Sequence, residues 1–74
     1  MTLGDWLKKQ RESNEITQAA AARAAETTLR TWQRWEGNER AWTFGLFLRA
    51  TKAAGVLRQD AARAYTRIEM GGAS

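Results

Sequence analysis

Ile16–Glu36, ITQAAAARAAETTLRTWQRWE, is the stretch from which the rest of this chain can be read. Alanine dominates its first half, and across the whole chain an Ala- and Arg-rich composition with few β-branched residues favours helix over strand. Thr17 and Thr28 each stand just before a helix-prone run, where a side-chain oxygen can accept a free backbone N–H. The pattern predicts helices over 18–25 and 29–36, with Glu26 and Thr27 forming the turn between them. Trp32 and Trp35 lie three apart on the second of these helices and share a face. That leaves Leu29, Arg30, Gln33 and Arg34 for solvent or a partner.

Outward from this stretch the chain continues to read as helix. Leu3, Trp6 and Leu7 recur at i, i+3, i+4 in a helix over 3–13, with Thr2 as N-cap and Asp5 completing a capping box. Asn14 and Glu15 break that pattern. Gly37 and Asn38 end the third helix, since both tolerate left-handed backbone, and 39–42 is a loop. Thr43 caps a helix over 44–54, which Gly55 closes. A last helix over 58–69 aligns Leu57, Ala61, Ala64, Tyr65 and Ile68, and 71–74 is expected to fray. The expected architecture is all-α: a compact bundle of four to five short helices forming one domain over 1–70.

Composition narrows the function classes. The 74 residues contain no Cys and no His, so thiolate and imidazole metal sites are excluded, as is the commonest general base. With no clustered carboxylates either, nothing resembles a catalytic constellation, and neither an enzyme nor a cofactor is expected. Nine Arg and three Lys leave a formal charge of +4, a balance that favours polyanionic partners. No apolar run approaches the roughly 20 residues of a membrane span, and no sustained basic stripe suits a membrane surface. Without a signal-peptide core in 1–11, a cytoplasmic protein is expected, on the nucleoid if it binds DNA.

The residues Arg11, Ile16-Thr17-Gln18, Ala22, Thr28 and Arg34-Trp35-Glu36, with Arg49–Val56 (RATKAAGV), resemble the Cro/repressor class (XRE-type) of bacterial, phage and plasmid helix-turn-helix proteins. The resemblance covers roughly 6–56 and implies a lambda-repressor-like domain. There are departures. Glu26 stands where the family usually has Gly, and a left-handed conformation there would cost ~1–2 kcal/mol. Ala25 and Ala54 replace bulky aliphatics, Trp42 sits near a usual Pro, and Asn38 takes the family's Gly position after the early Gly37.

A packing argument accounts for part of this. Ala21, Ala22, Ala25, Ala50 and Ala54 leave space that Trp32 and Trp35 can fill from the opposite wall. The Trp pair is thus read as core rather than as base-stacking surface, together with Leu7, Ile16, Ala22, Leu46 and Phe47. By the resemblance, Arg11 and Glu36 form a structural ion pair that ties the first helix to the end of the third.

The resemblance also implies the function. The helix over 28–36 is about 13 Å long against a major groove about 12 Å wide, so it can lie in that groove. Carried over by position, Thr28, Leu29, Arg30, Gln33 and Arg34 are the base-contacting candidates. Thr17, Gln18 and Arg40 are the backbone-contacting candidates, with Gln18 meeting a phosphate. Lys8, Lys9 and Arg23 read as solvated surface. The leading expectation is a sequence-specific homodimeric transcriptional regulator, a repressor of a mobile-element promoter on palindromic double-stranded DNA. A DNA-binding antitoxin and a dual activator/repressor controller protein are rivals; a protein-interaction module on the same fold is a rival of another class. The dimer interface would come from the loop 39–42, the edge of helix 44–54, or helix 58–69. Phe44, Leu48, Leu57, Tyr65 and Ile68 serve a dimer or the chain's own core equally well.

Overall fold

Four threonines mark where the first four helices begin. In the computed structural model, which describes residues 1–39 and 41–70 with the side chain of Met70 left aside, these are α1 (Leu3–Ser13), α2 (Gln18–Ala24), α3 (Leu29–Glu36) and α4 (Phe44–Ala53). Thr2, Thr17, Thr28 and Thr43 adopt extended backbone, and each hydroxyl accepts the N–H three residues on, at 3.1–3.2 Å. At α1 the Asp5 carboxylate reaches back to the Thr2 N–H, closing a capping box. The fifth helix, α5 (Arg58–Tyr65), begins at Leu57 without a side-chain cap. The five α-helices are followed only by one further helical turn, and no strand occurs among the described residues.

The same four helices also end alike. Glu15, Glu26, Asn38 and Gly55 each have positive φ, between 57° and 84°. The N–H that follows each one returns to a carbonyl five residues back: Ile16 to Arg11, Thr27 to Ala22, Glu39 to Arg34 and Val56 to Thr51, at 2.9–3.1 Å. This is the Schellman closure, which satisfies carbonyls the helix leaves open. It explains why α2 and α4 stop one residue short of the expected 25 and 54, since Ala25 and Ala54 become C-caps with ψ near zero. Glu26 does take the left-handed conformation of the turn, and Glu15 does likewise at the end of α1. Each glutamate strains the backbone by about 1–2 kcal/mol relative to glycine. Beyond Tyr65, where α helix was expected to 69, Thr66 keeps right-handed backbone and 66–70 widen into a π-helical turn.

Two apolar clusters hold the helices together. In the first, Ala21, Ala22, Ala25, Ala50 and Ala54 surround Leu7, Trp32 and Trp35, with Ile16 and Leu46 half-buried against them. The alanine walls and the indoles fit as complementary volumes, and Trp32 is fully enclosed. The second cluster joins Leu3, Trp6, Phe47, Ala61 and Ala64, and Trp42 and Val56 pack against both. Leu57 departs from the expected apolar stripe of the last helix: as the N-cap it is turned outward and 64% exposed. Phe44 is also exposed, edge-on to Tyr65 with centroids 5.1 Å apart.

Gly4 lets α1 and α3 meet closely. A Cβ there would lie 2.5 Å from the Glu36 carbonyl oxygen and 2.7 Å from that of Trp35. Asn38 uses the contact: its Oδ1 accepts the Gly4 N–H at 2.9 Å, and its Nδ2 donates to Thr2 Oγ1 at 2.7 Å. No helix among the described residues is long and apolar enough to cross a membrane.

Candidate nucleic-acid interface

α3 has a buried side and an exposed side. Trp32, Trp35 and Glu36 face inward, whereas Leu29, Arg30, Gln33 and Arg34 are exposed. The inward side depends on one carboxylate. Glu36 Oε2 accepts Arg11 Nε at 2.5 Å and Trp32 Nε1 at 2.6 Å; Oε1 accepts Gln18 Nε2 at 2.9 Å and Arg11 Nη2 at 3.2 Å. Four donors thus fill the acceptor sites of a buried carboxylate. Arg11 is buried too, and its Nη1 donates to the Ile16 carbonyl at 2.8 Å. Among the described residues, this is the one side-chain ion pair. Burial opposes the Glu36 charge, but the hydrogen bonds from Arg11, Gln18 and Trp32, with the Arg11 charge, outweigh it. The carboxyl is held below its ordinary value.

Three helices therefore converge on the end of α3: α1 through Arg11, α2 through Gln18, and α3 itself through Trp32. The bond from Trp32 has a local signal, since Trp32 and Glu36 are i, i+4 on one helix, but reading Trp32 as core alone misses it. The tie between Asn38 and Gly4 spans 34 positions and has no local signature. The same holds for Arg49, whose Nε and Nη2 donate to the Ala25 carbonyl at 3.1 and 2.6 Å, bracing the α2–α3 turn from α4. The tight fit leaves a cost as well. The indole N–H groups of Trp35 and Trp42 are buried without a hydrogen-bond partner among the described residues, a penalty of ~1–3 kcal/mol each.

The exposed side presents two guanidinium forks, a carboxamide and one aliphatic side chain. Arg30 and Arg34, four apart, make no hydrogen bond or ion pair with described residues. Gln33 donates to Gln18 Oε1 at 3.3 Å, and Gln18 in turn donates to Glu36. Gln18 therefore braces α3 as well as standing at the start of α2, with one N–H of its Nε2 still available. Thr28 is the N-cap: its hydroxyl accepts the Thr31 N–H and donates to Thr31 Oγ1 at 3.0 Å. What it offers a partner is a methyl group and one lone pair. Leu29 is 44% exposed at the first position of α3. Thr17, the cap of α2, is exposed, while Arg40 lies outside the described residues.

Such a face can form paired N–H···O bonds to planar or phosphate acceptors through its arginines. Among the described residues no group of His, Cys, Asp and Glu stands close enough to hold a metal ion. No protein-family model, curated protein or solved structure matches the chain.

Proposed function

We propose that this protein is a sequence-specific DNA-binding regulator of the Cro/repressor class that reads the major groove with the exposed face of α3. The observation that carries this reading is the contrast across α3. Arg30, Gln33 and Arg34 face outward on a helix whose opposite side is locked by Trp32, Trp35 and Glu36. A groove-reading element has to present free side chains on a rigid rod, because base readout depends on geometry held to fractions of an ångström.

In this mechanism, Arg30 and Arg34 take guanine edges through bidentate bonds, Gln33 takes adenine, and Leu29 meets a thymine methyl. The free N–H of Gln18 meets a phosphate beside the start of α2. The net charge of +4 supplies the non-specific attraction through counterion release. One short helix covers only a few base pairs, so two copies act on a palindrome and repress by occluding a promoter.

Random-site selection with purified protein at fixed salt tests this reading. The expected outcome is a palindromic consensus, with affinity falling steeply as salt rises. The exposed Leu29 favours a second reading, in which α3 binds another protein. A selection that returns no consensus and a flat salt dependence would overturn the DNA reading and leave that alternative as the one to test.

A further inference from the structure

We infer that the groove between α4 and α5 is a docking site for an acidic amphipathic segment of another protein, separate from the α3 face. The groove holds about 650 Å³ and is lined by Leu48, Arg49, Lys52, Val56, Leu57 and Arg58. Its floor is aliphatic: Leu48 and Val56 are half-buried, and Leu57 is 64% exposed. Its rim is cationic, with three basic residues and no carboxylate in the lining. Neither Lys52 nor Arg58 forms an ion pair with a described residue. None of the lining residues belongs to α2 or α3.

Charge selects the occupant. A second copy seated here would set three cations against three more, and like-charge juxtaposition across an interface costs several kcal/mol. A nucleic acid would suit the rim but not the floor, since a phosphate backbone leaves Leu57 uncovered. The Arg49 guanidinium is moreover directed to the Ala25 carbonyl, which holds it as a fixed wall. A helix with leucine-like anchors at i, i+4 and i+7, flanked by Glu or Asp, satisfies both halves of the groove at once. The exposed Phe44, four residues before Leu48, prolongs the apolar strip along α4 and gives such a helix a second anchor point. The aliphatic anchors supply affinity, and the rim selects sign and orientation.

The test uses the full chain, 15N-labelled and free of nucleic acid, with two synthetic helical peptides. Both carry leucines at i, i+4 and i+7; one has flanking glutamates and the other lysines. The expected result is binding of the acidic peptide at least about tenfold tighter than its lysine counterpart, with amide shifts centred on Leu48, Val56 and Leu57. Lys52→Glu, at an exposed position, should weaken that binding about tenfold with the fold intact. Leu57→Ser should do the same while holding or raising the melting temperature, because serine at this N-cap supplies the side-chain cap that α5 lacks. Equal or absent binding of the two peptides overturns the proposal, and so do shifts centred on α3. It also fails if Leu57→Ser converts a dimer to a monomer in sedimentation, which would make a second copy the occupant, or if a DNA duplex produces the same groove shifts. No outcome of this experiment depends on whether α3 reads DNA.

Discussion

The two sides of α3 are built on opposite rules. Inward, the Glu36 carboxylate has a donor for each of its acceptor sites, and Trp32 is completely enclosed. Outward, Arg30 and Arg34 have no partner among the described residues. Eight residues thus carry both the anchor and the presenting surface. Along this helix the residues that hold the fold and those left free for a partner are separate sets, although they are neighbours in sequence.

The sharpest way to break the contrast is at the anchor. Glu36→Ala strands a buried arginine and should cost ~3–5 kcal/mol in a denaturant melt; a loss under about 1 kcal/mol would show that the inward side is not load-sharing in this way. Acid should reach the same device more gently. The folded carboxyl titrates below its ordinary 4.5, so its stabilisation is complete above that pH. It is lost as pH falls through the folded-state value, because protonation then favours the unfolded chain. Thermal melts from neutral to acid pH should show this decline, and Glu36→Gln should flatten it.

On the outward side the effects should move to binding. Arg30→Ala and Arg34→Ala are each expected to cost ~1–3 kcal/mol in DNA affinity and to relax one base position, while stability changes by no more than about 0.5 kcal/mol. Intact operator binding by both variants would remove α3 as the reader. The smallest effect belongs to the turn that joins the anchor to the rest of the fold. Glu26→Gly relieves left-handed strain but gains chain entropy in the unfolded state, so a net gain of up to about 1 kcal/mol is expected. A destabilised variant would mean that the Glu26 side chain contributes something that offsets its backbone.

The helix starts were legible because a threonine at each of the first four is a local signal, readable within three positions. The ends were legible to within one residue, except at α5, where no left-handed residue stops the helix among the described residues and the expected α turn becomes π. The division of α3 into two faces followed from spacing for Trp32 and Trp35 and from the family resemblance for Glu36. Less legible was what the polar side chains do once the chain folds back. Gln18 reads as a free phosphate donor until Glu36 and Gln33 are brought beside it. Leu57 reads as part of an apolar stripe until its position as N-cap turns it outward. Asn38, Gly4 and Arg49 make contacts across 24 to 36 positions, and no periodicity encodes those.

The matching starts and stops of the first four helices bear on how the chain finds this structure. Every cap hydrogen bond spans three to five positions, so the start and stop of each of these helices are specified by its own residues. Helices of 7 to 11 residues are marginal on their own in water, so packing must hold them, and proteins rich in such local contacts fold in about microseconds to milliseconds. The bonds from Arg11 to Glu36 and from Asn14 to the Ala54 carbonyl close over 25 and 40 positions. They hold separate helices in register, which the local caps alone do not do.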